Sequence, residues 1–251
     1  MALFKSGNPA LNEKMFTGTV TLPQEGTMTE KGTLYKFGIM TLLLLAAASF
    51  TWKAAAEGKN VVPWMFGGLI VGFILAMVAV FKKQWSPFLA PVYALAEGVF
   101  LGAISSYYNN AFAEVAPGLV MQAVGLTFAV VIGIFLLYQF GIIKATQQFR
   151  AIIVTATAGV ALFYLFAIVL RMFGIQMPLI HESSTLGIIF SLVVVGIAAL
   201  NLILDFGLIE KGAQNGAPKY MEWYAAFGLM VTIVWLYIEI LRLLSKIAGR
   251  K

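Results

Sequence analysis

Four acidic residues stand inside or at the start of long apolar runs of this sequence. They are Glu97, Asp205, Glu239 and, at the entrance of the last run, Glu222. Placing a carboxylate near the centre of a bilayer costs about 2.5 to 3.5 kcal/mol, so each of these residues needs a partner or a purpose. Two carboxylates in one buried site can share a proton, and after losing it they offer hard oxygen ligands to a cation. Any two of these residues that share one buried site could therefore do proton-linked chemistry that involves cations.

The surroundings of Glu97 indicate a close contact between helices. Ala94, Gly98 and Gly102 recur beside it at four-residue spacing. A stripe of such small residues lets two helix backbones approach each other. Glu97 is therefore either part of the proton-linked site or a neutral, protonated side chain that hydrogen-bonds a neighbouring helix.

Asp205 ends a small, polar helix face. This face comprises Ser184, Ser191, Ala198 and Asp205 at seven-residue spacing, together with Gly187 and Asn201. Such a face does not suit lipid, so we expect it to meet other helices or a water-filled path, with Asn201 as a supporting polar residue. The alternative is that Asp205 lies close enough to the end of its run to be solvated by headgroup water.

Glu239 shares a helix face with Thr232, Trp235, Arg242 and Lys246. Its spacing from Arg242 allows an ion pair within one helix, which would neutralise both charges without any function. The side chains of Arg242 and Lys246 are also long enough to reach the membrane surface. Thr232 and Arg242 are the polar residues that we expect to support the acid on this run.

The residue inventory argues against catalysis. His181 is the only His and lies in a predicted loop, Asp205 is the only Asp, and the chain has no Cys. A zinc hydrolase or a serine protease needs His in its site, and an intramembrane aspartic protease needs two Asp residues. We therefore expect no enzyme, no catalytic residue, no metal site and no cofactor, apart from transient calcium.

The composition is that of a membrane protein. Hydrophobic residues make up 61% of the 251 residues and charged residues only 11%, whereas roughly a quarter of the residues of a soluble domain are charged. The net charge of +6 resides in Lys and Arg between the apolar runs. Basic residues in such positions set membrane topology and do not indicate nucleic-acid binding.

The apolar runs predict the fold, because a helix needs about 20 apolar residues to cross a hydrocarbon core of about 30 Å. Seven runs approach this length, at about residues 37–52, 61–81, 87–107, 118–143, 151–170, 184–208 and 221–245. The prediction is an all-α, polytopic membrane protein with a transmembrane domain over residues 35–247. Residues 1–34 form a polar tail without the apolar start of a cleaved signal, and residues 248–251 form a basic end.

Two segments resemble the Bax inhibitor family of membrane proteins, in particular its bacterial YccA-like members. The first is PVYALAEGVFLGAIS at residues 91–105. The second is the C-terminal part, NLILDFGLIEKG at residues 201–212 and APKYMEWYAAFGLMVTIVWLYIEILRLL at residues 217–244. The resemblance extends over residues 35–247 and is strongest over the last two runs.

This resemblance implies seven helices, the last of them surrounded by the others. In channel-like members of the family, two aspartates on the sixth and seventh helices share a proton and act as a pH-sensing latch. The first aspartate corresponds to Asp205 in its LILDFGLI context, but the second position holds Thr232, and Glu239 lies two turns later. Asp205 could instead pair with Glu97 or Glu222, or hydrogen-bond Thr232.

The resemblance implies a pH-sensitive leak channel or transporter for cations, calcium above all, that is gated by buried carboxylates. Its alternative is a non-conducting regulator that binds a membrane protease or another membrane protein, with the N-terminal tail as the contact element. The lipid bilayer, calcium ions and such a protein are the expected partners. The resemblance to bacterial members implies a bacterial inner membrane. We expect a cytoplasmic N-terminus, because basic residues are more numerous in loops on the N-terminal side.

Overall fold

The computed structural model describes residues 26–174 and 184–250. These residues form helices α1 (Glu30–Ala56), α2 (Val62–Phe81), α3 (Ser86–Ala111), α4 (Leu119–Gln139), α5 (Gln147–Met172), α6 (Thr185–Gln214) and α7 (Met221–Ala248), with one 3-10 turn at Lys83–Trp85. Within the described ranges, seven helices are long and apolar enough to cross a membrane. The predicted all-α, seven-helix membrane fold is confirmed. His181 and most of the predicted tail lie outside the described residues.

Each helix overlaps one predicted run. The start of α1 and the end of α6 lie outside the predicted runs, and both differences affect the surroundings of the buried acids. Helix α1 begins at Glu30, inside the predicted tail, because the Thr29 side chain caps it by accepting a hydrogen bond from the Gly32 amide. Helix α6 continues to Gln214. Asp205 therefore lies about two and a half turns inside its helix.

The described residues form two compact units. One, the α1–α3 unit, contains α1, α2, α3 and residues 205–231. The other, the α4–α5 unit, contains α4, α5 and the described residues of 111–204 and 232–250. Helices α6 and α7 each contribute one part to each unit. Of the predicted site residues, Glu97, Asp205 and Glu222 belong to the α1–α3 unit, and Glu239 belongs to the α4–α5 unit.

Glycines bring α3 against α1 in the α1–α3 unit. A Cβ atom on Gly98 would overlap the carbonyl of Leu44, and a Cβ atom on Gly102 would overlap the backbone of Ala48 and the hydroxyl of Thr51. The two helix backbones can approach this closely only because these positions have no side chain. The close helix contact predicted from the small stripe of α3 is confirmed.

Helix α2 contacts another side of α3, also through glycine. A Cβ atom on Gly68 would stand 2.7 Å from the carbonyl oxygen of Ala96, and one on Gly72 would stand 2.7 Å from Oε1 of Glu97. The remaining surface of α2 exposes large apolar side chains, as a lipid-facing helix must. They include Trp64, Phe66, Ile70, Phe73, Ile74 and Phe81.

In the α4–α5 unit, α5 packs against the part of α6 that belongs to this unit. Ile153 and Val154 of α5 and Leu204 of α6 form a buried cluster, against which Phe149 and Leu200 pack.

Burial is greatest in α3 and α7, where 61% of the residues in the most apolar 18-residue stretch are buried. The central position that the resemblance implies for the last helix stays a prediction.

Candidate functional site

The four acids are all buried. The exposed fraction of the residue is 7% for Glu97, 0% for Asp205, 0% for Glu222 and 1% for Glu239. Burial removes a carboxylate from the water that normally stabilises its charge, so the neighbours of each acid decide what it can do. The neighbours differ among the four acids, so the acids occupy different kinds of site.

Glu222 is surrounded by donors and cations. Its Oε1 accepts hydrogen bonds from the backbone amide of Thr29 at 2.9 Å and from the Thr29 hydroxyl at 3.0 Å. The ammonium groups of Lys36 and Lys219 form ion pairs with it, the latter at 2.7 Å. Glu222 also lies in the first turn of α7 and beside the first turn of α1, where helix dipoles favour a negative charge. Its charge is fully balanced by these neighbours.

Glu239 belongs to a polar network between α5 and α7. Arg242 Nη1 lies 3.1 Å from Oε1 of Glu239, so the ion pair that the spacing allowed is formed. The Tyr164 hydroxyl donates to both carboxylate oxygens at 3.0 and 3.1 Å, and Trp235 Nε1 donates to Oε1 at 3.3 Å. Arg242 also donates to the Tyr164 hydroxyl at 2.6 Å, with its guanidinium 5.0 Å from the ring centre.

Lys246 is buried within the helix packing, although its side chain is long enough to extend away from it. The residue is only 4% exposed. Its ammonium group donates to the Gly187 carbonyl at 3.0 Å and to the Ser191 hydroxyl at 2.9 Å. A cation of α7 therefore occupies the N-terminal part of the polar face of α6.

Glu97 has a different environment from Glu222 and Glu239. Its carboxylate lies against Gly72 of α2 and hydrogen-bonds the side chain of Tyr93, one turn earlier on α3. The Tyr93 ring is itself buried and meets the ring of Phe227 edge-on at a centroid distance of 4.8 Å. The partner that these contacts give Glu97 is a neutral hydroxyl on its own helix, rather than a cation.

Asp205, the predicted gating residue on α6, is completely buried. It has no exposed surface, and every residue from 201 to 209 is buried. Solvation of Asp205 by headgroup water is therefore excluded as its explanation. One turn earlier, the amide nitrogen of Asn201 donates to the Thr157 hydroxyl of α5 and to the Ile197 carbonyl, both at 2.8 Å. Thr232 of α7 is buried as well, at 3% exposure.

Sequence reasoning identified the acids but missed several of the residues that hold them. Thr29 immediately precedes the first helix and Lys36 lies in its second turn. Tyr93 and Tyr164 are aromatic residues inside apolar runs. A Tyr in the interior of a membrane helix is a weak signal for a polar partner, because its hydroxyl also needs a hydrogen bond. Across residues 26–174 and 184–250, no three His, Cys, Asp or Glu side chains are grouped as a metal site.

Seven membrane-crossing helices with buried acids and cations define a polytopic membrane protein that holds ionisable groups inside its helix packing. The model of the family described as Bax inhibitor 1 like matches residues 8–249. The chain therefore belongs to this family, as the two quoted segments indicated. A comparison with curated proteins finds no match.

Proposed function

We propose that this protein is a pH-sensitive leak pathway for cations, calcium above all, that is gated by buried carboxylates. The observation that supports this proposal is the complete burial of Asp205 in the interior of a membrane helix. A carboxyl group there is tolerated as a neutral acid, and its ionised form demands a counter-charge or water. Loss of one proton is therefore a large local change that helix packing must accommodate.

The complete burial of Asp205 and the contacts of Glu97 favour these two acids as the proton-linked residues. Glu222 and Glu239 are already balanced by Lys or Arg, so their charge suits a structural role. Glu97 meets a tyrosine hydroxyl and a glycine. An acid with such neighbours has more to gain from binding a proton or a cation than one held in an ion pair. Both Asp205 and Glu97 lie in the α1–α3 unit.

Lys246 limits where cations could pass along α6. Its ammonium group binds Gly187 and Ser191 on the N-terminal part of the polar face. A positive charge held there repels a passing cation, because the surrounding low dielectric strengthens the interaction. The proposed cation pathway therefore involves the part of α6 near Asn201 and Asp205, not the part near Ser191.

Calcium flux into liposomes at a series of pH values tests the proposal. Ionisation of Asp205 introduces the charge that opens the pathway, so we expect wild-type flux to increase as the pH rises. Asp205→Asn mimics the neutral acid and should keep flux at the low-pH level throughout. Glu57→Gln, which removes an exposed partner of Lys59, serves as the control and should behave as wild type.

Two results would contradict different parts of this proposal. Absence of wild-type flux at every pH would reject the pathway itself. Flux with an unchanged pH dependence in Asp205→Asn would keep the pathway but reject Asp205 as its gate. A companion variant, Glu97→Gln, tests the second acid in the same assay, and we expect it to weaken the pH dependence.

The second candidate is a non-conducting regulator that binds a membrane protease or another membrane protein. The ion pairs of Glu222 and Glu239 favour it, because an acid that is already held in an ion pair can serve packing alone. Deletion of residues 1–25 tests the tail without removing Thr29, the cap of α1. We expect this deletion to abolish co-purification of the partner from detergent-solubilised membranes, and undiminished co-purification would reject the tail as the contact element.

We also propose that the protein resides in a bacterial inner membrane, as its resemblance to bacterial members implies, and that its N-terminus is cytoplasmic, as the bias of basic residues favours. The chain has no Cys, so single cysteines introduced into loops report on one position each. Glu57→Cys, after α1, should react with a membrane-impermeant maleimide from outside intact cells. Lys144→Cys, between α4 and α5, should react only after lysis, and the opposite pattern would reverse the orientation.

A further inference from the structure

The residues just before α1 lie along the connection between α6 and α7. We call residues 26–29 the N-terminal strap. Within it, Met28 donates its backbone amide to the Ala217 carbonyl at 2.7 Å, and Thr27 pairs with Pro218 in an antiparallel bridge. Met28 and Ala217 are only 2% and 1% exposed. The strap thus makes a strand-like contact with a part of the chain that is far away in sequence, and this contact is buried at Met28 and Ala217.

Glu222 joins the strap to the helices on either side. Its Oε1 accepts both hydrogen bonds of Thr29, whose hydroxyl oxygen in turn accepts from the Gly32 amide and so caps α1. Lys36 pairs with Oε2 from the second turn of α1, and Lys219 pairs with Oε1 from the connection. One carboxylate therefore connects the strap, α1, the connection and α7.

The carboxylate of Glu222 is closely packed against α1. A Cβ atom on Gly32 would overlap the carboxylate of Glu222, so a larger residue at this position would displace the carboxylate from its donors. The Glu222 side chain is 1% exposed, and that of Lys36 is 14% exposed. The Lys36 ammonium also lies 5.6 Å from the centre of the Trp223 ring, where the ring face attracts a cation.

A second contact holds the same connection from α3. The Ser86 hydroxyl, which is fully buried, donates to the Tyr220 carbonyl at 3.0 Å. The connection between α6 and α7 is therefore fastened by the strap and by the start of α3. Of these two contacts, only the contact of the strap includes ion pairs.

We propose that the N-terminal strap is a releasable latch on the α6–α7 connection, with Glu222 as the residue that keeps it closed. A buried carboxylate with four donors is stable, whereas the same carboxylate without its lysines is strongly destabilising unless it reaches water. The contact therefore has a closed state and an open state with little between them. Opening frees the connection between the helix of Asp205 and the last helix.

The closed state is tested with cysteines, since the chain has none of its own. Residues that face each other in an antiparallel pair have Cα atoms about 4.5 to 5.5 Å apart, within the range that a disulfide bridges. We expect Thr27→Cys combined with Pro218→Cys to form a disulfide readily in native membranes under mild oxidation. Failure of this pair to cross-link would reject the strap.

The role of Glu222 is tested by labelling Met28→Cys with a water-soluble maleimide. In the otherwise wild-type chain this buried position should react slowly, and Glu222→Gln should accelerate labelling about tenfold. Lys36→Met should have a similar effect and provides a second variant should Glu222→Gln fail to fold. Glu57→Gln, at an exposed ion pair, is the matched control and should leave the rate unchanged. Equal labelling in Glu222→Gln and in the control would overturn the proposal.

The effect on function rests on the proposed cation pathway and is measured separately. In liposomes, the oxidised Thr27→Cys and Pro218→Cys protein should conduct less calcium than the same protein after reduction, by about threefold or more. Equal flux in the two forms would reject the latch as a regulator. Absence of flux in every variant would reject the pathway, while the maleimide labelling would still decide whether Glu222 closes the latch.

Discussion

Gly102→Ala is expected to lower the free energy of unfolding by about 3 kcal/mol, although alanine normally stabilises a helix relative to glycine. The added methyl group would overlap the Ala48 backbone and the Thr51 hydroxyl of α1. A backbone cannot move aside as a flexible side chain can, so α1 and α3 must separate. The loss is measurable as a lower unfolding midpoint in a denaturing-detergent titration of the purified protein.

Two glycines without close neighbours provide the matched controls. Nothing lies within 4 Å of a Cβ atom built on Gly67 of α2 or on Gly125 of α4. Alanine at either position should leave the free energy of unfolding unchanged or raise it by about 0.5 to 1 kcal/mol, the usual difference between the two residues in a helix. A Gly102→Ala protein as stable as these controls would show that α1 and α3 do not pack through this stripe.

Arg242→Met is expected to lower the free energy of unfolding by about 3 kcal/mol, because it leaves the buried Glu239 carboxylate without its cation. This value is at the lower end for buried ion pairs, since the Arg242 side chain is 27% exposed. Combining it with Glu239→Gln should recover most of the loss. The amide oxygen can still accept hydrogen bonds from Tyr164 and Trp235, and no unbalanced charge remains at this pair.

A double-mutant cycle in the same detergent titration measures this coupling. Strictly additive losses from Glu239→Gln and Arg242→Met would mean that the two residues do not stabilise each other. The double variant also bears on function. If Glu239 serves packing alone, as its contacts indicate, the stabilised double variant should keep the pH dependence of wild-type calcium flux. A lost pH dependence would return Glu239 to the gating residues.

Much of the fold could be predicted because the relevant property is local. The length of an apolar run compared with the thickness of a bilayer is read directly from consecutive residues, and α2 ends at Phe81 as predicted. The start of α1 was less predictable. In the sequence, the polar residues around Thr29 are typical of a tail. In the structure, the Gly32 amide donates a hydrogen bond to the Thr29 side chain, so the helix begins here. A cap is a geometric feature that spacing alone only suggests.

The roles of the acids were less predictable than their positions. The Glu239 and Arg242 pair could be anticipated, since both lie on one helix at fixed spacing. The partners of Glu222 could not be, because Thr29 lies 193 residues away in the sequence. Likewise, Tyr164 is 75 residues from Glu239. No local pattern specifies which distant donor reaches a buried carboxylate.

The sequence by itself determined that this is a seven-helix membrane protein with acids in its spans, since composition and run length leave no soluble alternative. Only the tertiary structure distinguished the acids from one another. It gave Glu222 two lysines, Glu239 an arginine and Glu97 a tyrosine, and it enclosed Asp205 completely. The physical reason is that the cost of a buried charge depends on what packing places beside it, and packing joins residues that the sequence keeps apart.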